Sequence, residues 1–193
     1  SSAASDVYKR QPEGVAVDAA GNLYICESGN NRVRRVSTDG VIRTVAGSAP
    51  QDVEGAPATW ATLGFPTGVV VDAAGNAYVA DPDRQKVYRI APDGKAYTFA
   101  GTGVAGYSGD GAQATAAQLY NPFAVALDAA GNVYIADQGN SRVRRVTTDG
   151  VIRTYAGNGQ SAYGGDGGAA VSASLMSPAG LAVDGAGALY ISD

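Results

Sequence analysis

The chain has no histidine. That absence removes histidine-based nucleophile pairs, histidine zinc sites and imidazole acid–base chemistry from these residues. A single cysteine, Cys26, excludes an intrachain disulfide and leaves the redox compartment open. No stretch approaches the roughly 18–20 consecutive apolar residues that a membrane-spanning helix needs. Helical heptads and basic amphipathic segments are also missing. Fourteen Lys and Arg stand against eighteen Asp and Glu, a net charge of −4. That balance argues against a general nucleic-acid footprint. The residues suggest no cofactor and no metal site. What remains is a chain of 193 residues, 45% hydrophobic, with enough apolar material for a substantial core.

The strongest positive feature is a repeated phrase, Pro-x-Gly/Ala-[Val/Leu]-[Ala/Val]-[Val/Leu]-Asp, beginning at Pro12, Pro66, Pro122 and Pro178. The intervals are 66 − 12 = 54, 122 − 66 = 56 and 178 − 122 = 56 residues. Such a period belongs to stacked modular folds, in which no unit can bury its hydrophobic faces alone. Laid without a gap, residues 12–47 and 122–157 share 26 of 36 positions. The units run approximately 12–65, 66–121, 122–177 and 178–193, the last stopping in its second apolar run.

Each full unit holds four short apolar runs. In the first these are residues 15–17, 23–25, 33–36 and 41–45, rich in β-branched residues and tyrosine, which favour strands. Asp18-Ala19-Ala20-Gly21-Asn22 and its copies at 72–76 and 128–132 separate the first two runs, with a glycine free to take positive φ. Asp39-Gly40, Asp93-Gly94 and Asp149-Gly150 separate the last two, a strong hairpin signal. Four strands joined by hairpins make an antiparallel meander with apolar residues on both faces. Radial repetition supplies a neighbour on each side, so the spacing predicts an all-β propeller with one blade per unit. Small or modest residues at Ala16, Val70, Ala126 and Ala182 suit a crowded strand near the axis.

The phrase Pro-x-Gly-Val-Ala-Val-Asp-Ala-Ala-Gly-Asn-Leu-Tyr-Ile, followed by Asn31-Arg32-Val33 and Asp39-Gly40, resembles the NHL repeat. The likeness recurs in register over residues 12–193. The longer linker, from Ala100-Gly101-Thr102-Gly103 through Gly109-Asp110-Gly111 to Leu119, resembles the extended variety of bacterial surface proteins and teneurin-type propellers.

Residues 1–11 break the pattern. Ser5 to Gln11 back-translate as TCA GAT GTG TAT AAG AGA CAG, a string resembling a transposon end used in library preparation, so this tail is read as non-native. With typically 4 to 8 blades in a propeller, three units and a piece predict an incomplete ring, its remaining blades supplied by the same protein. Such an arc, alone, is expected to aggregate or stay loosely folded.

Several residues invite a chemical reading. Cys26 stands where other units carry Ala80, Ala136 and Ser192, which reads as a small core residue. Gly101-Thr102-Gly103-Val104-Ala105-Gly106 matches a dinucleotide fingerprint in letters, but no βαβ context surrounds it. Glu27, Asp81 and Asp137 lie five residues before Arg32, Lys86 and Arg142, a spacing that predicts cross-strand bracing pairs. Arg34 and Arg144 read as a solvated outer face. Tyr24, Tyr78, Tyr134 and Tyr190 recur at one position and read as inter-blade core.

The linkers carry the candidate ligand-binding residues. Tyr107 with Asp110, and Tyr163 with Asp166, place an aromatic platform beside a carboxylate in a glycine-rich loop. The same aspartates also fit plain turn formation. One carboxylate per loop falls short of the six to eight oxygens that calcium takes. Thr59/Leu63, Thr115/Leu119 and Val171/Leu175 are four apart, predicting a helical turn with both members on its docking face. Trp60, the one tryptophan, lies in that turn and is a further contact candidate. Asp18, Asp72, Asp128 and Asp184 close the innermost strands, either as turn caps or as a ring of acids at one mouth.

Three functions compete. The first is a non-catalytic scaffold for a protein, peptide or glycan. The second is part of a propeller enzyme of metal-dependent lyase or lactonase type, catalytic residues lying in further blades, as the family resemblance allows. The third, RNA binding, is disfavoured by the acidic balance. Few lysines, many Gly, Ala and Tyr residues and the linker resemblance suggest a secreted or bacterial envelope location.

Overall fold

A computed structural model describes residues 12–47 and 54–193. The tail of residues 1–11, read above as non-native, lies outside the described residues. Blade 1 comprises β1 (Gly14–Val17), β2 (Leu23–Glu27), β3 (Arg32–Val36) and β4 (Ile42–Ala46). Blade 2 comprises β5 (Gly68–Val71), β6 (Ala77–Asp81), β7 (Lys86–Ile90) and β8 (Ala96–Ala100). Blade 3 comprises β9 (Pro122–Leu127), β10 (Val133–Asp137), β11 (Arg142–Val146) and β12 (Ile152–Ala156). Two strands follow, β13 (Gly180–Val183) and β14 (Leu189–Ser192). Every sheet is an antiparallel meander in chain order.

The expected turns close the hairpins. Gly131 sits at φ +85°, where an L side chain is strained, and the carboxylate beside it satisfies the turn amides: Asp128 Oδ1 accepts from Ala130 N at 3.0 Å and Asn132 N at 2.8 Å. A second device has no counterpart in the sequence pattern. Between the second and third strands lies a one-turn 3₁₀ helix, Ser28–Asn30, Pro82–Arg84 or Gln138–Asn140. Each ends on a non-glycine residue in left-handed conformation, Asn31, Gln85 or Ser141.

Radial stacking follows from the strand alternation. β1 packs on β5, β5 on β9 and β9 on β13. A Cβ on Gly68 would stand 3.0 Å from the Ala124 backbone, so the inner strands approach too closely for a larger residue there. Between blades 1 and 2, Tyr24, Cys26 and Val33 meet Ala77, Val79 and Ile90. Between blades 2 and 3, Tyr78, Ala80 and Val87 meet Val133, Ile135 and Ile152. Tyr134 and Val143 carry the third layer, against Leu181 and Ile191. Tyr24, Tyr78 and Tyr134 are thus core residues as expected, while Tyr190, on the last strand, is exposed.

The linkers do more than connect. Gly111 N donates to Ile152 O and Ile152 N to Ala112 O, while Gly55 N donates to Ala96 O and Ala96 N to Ala56 O. Each of these two linkers therefore hydrogen-bonds the outermost strand of the blade that follows it, covering an edge that would otherwise invite pairing. The turn within the linker corrects one expectation. It is a short 3₁₀ turn, Ala58–Trp60, Ala114–Ala116 and Ala170–Ser172. Ala114, Ala117 and Leu119 face inward while Thr115 is exposed, because a three-residue repeat turns the inner face away from the i and i+4 pairing.

Candidate functional site

The linker entering blade 3 is fastened by two arginines of β11. Strand period two places Arg142 and Arg144 on one face and Arg145 on the other. Arg144 is buried completely. Its Nη2 donates to Asp110 Oδ1 at 2.6 Å and to Ser108 O at 3.0 Å, and its Nη1 to Asp137 Oδ2 at 3.3 Å. The Arg144 and Arg142 guanidinium carbons lie 4.8 and 3.9 Å from the Tyr107 ring centroid. Tyr107 Oη is 3.1 Å from Asp110 Oδ2 and 2.9 Å from Thr154 Oγ1 on β12. Asn140 completes the fastening, donating to Gly106 O and to Asp137 Oδ2, each at 2.8 Å. One ion-pair and cation–π cluster thus ties linker, second strand and third strand together.

The electrostatics follow from burial. Asp137 is buried and accepts from Tyr120 N at 2.7 Å. Burial pushes its carboxyl above the ordinary aspartate range, and the Tyr120 amide, Asn140 and Arg144 offset only part of that. Asp110 goes the other way. Its partial burial acts upward as the largest single influence, but the hydrogen bonds from Thr154 and the Arg144 charge together hold it below the ordinary value.

This geometry corrects the expected bracing pairs. Asp137 and Arg142 are direct cross-strand partners, as are Glu27 and Arg32. The acid nevertheless reaches diagonally to the arginine two residues further on, giving Asp137–Arg144 at 3.3 Å and Glu27–Arg34 at 3.5 Å. Arg142 instead donates to Asn140 O and Asn158 O while lying over Tyr107, and Arg32 is exposed. Arg144 is accordingly no solvated face. The reason is the linker, which lies over β11 and excludes water from its inward-facing arginine.

Blade 2 carries a variant of the same arrangement. Tyr88 occupies the position of Arg144, and Asp81 is buried and, among the described residues, accepts from backbone donors alone: Gly64 N at 2.8 Å, Phe65 N at 3.0 Å and Arg84 N at 3.4 Å. The linker acid over this blade is Glu54, which accepts from Thr98 N. The linker tyrosine and the strand arginine thus belong together: Tyr107 comes with Arg144, whereas the first linker pairs Glu54 with a blade carrying Tyr88. That correspondence between units was the available sequence signal for the role of Arg144.

The structure joins Tyr107 to Asp110, and Tyr163 to Asp166 through a 2.9 Å hydrogen bond. It does not gather all five candidates into one pocket. Tyr107 is 43% exposed against 80% for Tyr163, so the first is anchored and the second stands clear. Trp60 is half exposed on the preceding linker.

Asp18, Asp72, Asp128 and Asp184 act as turn acceptors. Asp72 Oδ1 takes Asn76 N at 2.8 Å and its Oδ2 takes Asn76 Nδ2 at 2.7 Å and Tyr78 Oη at 3.2 Å. Asp18 accepts from Ala20 and Asn22, and Asp184 from Ala186, Ala188 and Tyr190. Among the described residues no group of three or more His, Cys, Asp or Glu is placed to hold a metal. Burial, with the nearby Asp81 charge, pushes the Cys26 thiol well up, which leaves it inert as a nucleophile.

Comparison with known proteins agrees with this architecture. A model of the teneurin NHL domain matches residues 103–163, and a model of the NHL repeat matches residues 10–36. Human Teneurin-4 is 31% identical over 162 residues, 72% of this chain and 6% of that protein. The chain thus spans a small fraction of the curated relatives it matches. A structure from Bacteroides thetaiotaomicron superposes with a TM-score of 0.74 at 23% identity, over 97% of this chain and 46% of that one. The structure of a nidogen/laminin complex gives 0.63 at 21%, over 95% and 56%. Virginiamycin B lyase from Staphylococcus aureus gives 0.60 at 16%, over 94% and 48%. These structural likenesses establish the fold alone.

Proposed function

This chain belongs to the NHL-repeat family, and on that premise we propose that it is a non-catalytic propeller scaffold whose latched linkers present a surface to a protein partner. The observation that carries the proposal is the Arg144–Asp110–Tyr107 cluster. It fixes a glycine-rich loop in one conformation, and a pre-ordered loop loses less entropy on binding. Tyr120 stands at the end of that linker, and Trp60, Tyr163 and Met176 on the linkers either side of it, each about half exposed or more. Aromatic and methionine side chains of this kind are enriched at protein interfaces. A peptide or glycan would use the same aromatic platforms with fewer of them at once. The nidogen/laminin neighbour supports the reading by analogy of fold. An extracellular or envelope location suits such a role, and the teneurin relatives favour it.

The enzyme alternative has the fold of a lyase behind it. Against it, the four inner-strand aspartates are committed to their own turns. The test uses full-length protein against panels of purified extracellular proteins and glycans, with Trp60→Ala and Tyr163→Ala alongside. Saturable binding to one protein, weakened by about tenfold or more in either variant, is the expected outcome. Binding indifferent to both substitutions, or metal-dependent turnover of a cyclic ester reversed by chelation, would reject it.

A further inference from the structure

Blade 1 lacks an aromatic ring that the other blades possess. In blades 2 and 3 the inner tyrosine meets a ring from the outermost strand edge-on: Tyr78 with Phe99 at 4.7 Å and 73°, Tyr134 with Tyr155 at 4.9 Å and 80°. The corresponding residue of blade 1 is Val45, opposite Tyr24. The neighbouring blade widens the gap, because Ala77 stands where blade 3 carries Val133. The result is a cavity of about 260 Å³ between blades 1 and 2, lined by Tyr24, Val45, Ala77 and Ile90 with Arg35 and Arg43 among its walls.

The arginines at this position also lie over a ring of the outermost strand, each at its own place on that strand. Arg145 lies 5.4 Å from the Tyr155 centroid and Arg89 lies 4.7 Å from that of Tyr97. Arg35 is their counterpart, and its blade has Val45 and Arg43 where those rings would be. Among the described residues neither Arg35 nor Arg43 forms an ion pair. Asp18 and Asp39 influence them through charge, but their oxygens are occupied by their own turns.

We propose that this inter-blade cavity binds a small aromatic carboxylate. The ring takes the place that Phe99 and Tyr155 fill elsewhere, edge-on to Tyr24 and under the Arg35 guanidinium. The carboxylate lies between Arg35 and Arg43, where charge-assisted hydrogen bonds are strong. The volume, just below the usual range of ligand sites, admits one ring and not two. Thr59 of the first linker is also among its walls, one residue from Trp60, and the small-molecule titrations below read the cavity without any protein partner.

The test titrates 4-hydroxyphenylacetate into the full-length protein by ligand-observed NMR and calorimetry, with p-cresol as the control lacking the carboxylate. Saturable binding is expected, with p-cresol weaker by about tenfold. Val45→Phe supplies the missing ring and should abolish binding without lowering the thermal midpoint. Arg43→Gln, at an exposed position that should not disturb folding, should weaken the carboxylate by about tenfold and leave p-cresol unchanged. No saturation up to about 10 mM, or full affinity in Val45→Phe, would overturn the site. Full affinity in Arg43→Gln, or equal binding of p-cresol, would overturn its preference for a carboxylate.

Discussion

At the scale of single residues, Arg144 decides how the linker sits, and it does so from complete burial. The buried guanidinium is held by Asp137, Asp110 and the Ser108 carbonyl, although its Nε has no partner among the described residues. Replacing it leaves the Asp137 carboxylate buried without a cation, so Arg144→Gln should cost about 3–5 kcal/mol at neutral pH. The pH dependence has a definite sign. The folded-state pKa of Asp137 is raised, so its contribution is fully present below the ordinary carboxylate value and is lost as pH rises through the folded value. Without Arg144 that folded value rises further. Urea unfolding should therefore show a smaller deficit for Arg144→Gln near pH 4 than at pH 7. Equal deficits at both would contradict the pairing.

At the scale of elements, the hairpins were legible and the latch was not. The Asp-Ala-Ala-Gly-Asn and Asp-Gly turns are local, each set by residues within five positions, so the sequence alone placed all four strands of each blade. The 3₁₀ turns before β3, β7 and β11 carry no glycine signal, because Asn31, Gln85 and Ser141 adopt left-handed backbone themselves. The latch joins residues 34 apart in the chain, Asp110 and Arg144, and nothing within either segment announces the other. Local spacing pairs Arg142 with Asp137, whereas across a similar separation its guanidinium serves Tyr107.

One prediction belongs here. Asp128 accepts from two backbone amides, Asn132 Nδ2 and Tyr134 Oη. Asp128→Ala should destabilise the fold by about 1–2 kcal/mol, read as a lowered denaturation midpoint with an unchanged slope. The carboxyl stays below its ordinary value: burial is the largest influence and acts upward, but the hydrogen bonds from Asn132, Tyr134 and Ala130 outweigh it. Its contribution is thus present above that range and lost as pH falls through the lowered value. A variant as stable as the parent at pH 7 would mean the turn is held by its glycine alone.

At the scale of the whole molecule, the described residues form an open arc of three blades and two further strands. The terminal blade faces carry exposed apolar side chains, including Val15, Val17, Ile42 and Tyr190. Residues 12–193 produced alone should self-associate, with a sedimentation profile that broadens with concentration. A monodisperse monomer unfolding in one cooperative step would contradict this. Closing the ring would cover those faces and leave the linkers as the main variable surface, where the proposed partner contacts lie.

The central claim, that the linkers are fixed in advance of binding, is tested most directly by hydrogen exchange on the full-length protein and on Arg144→Gln. The amides of Gly106, Gly111 and Ala114 donate to Leu119 O, Ile152 O and Gly150 O. The account predicts that these exchange slowly in the parent, and at loop-like rates in the variant while strand amides stay protected. Rapid exchange of all three in the parent would show that the linker is not pre-ordered and would contradict the account.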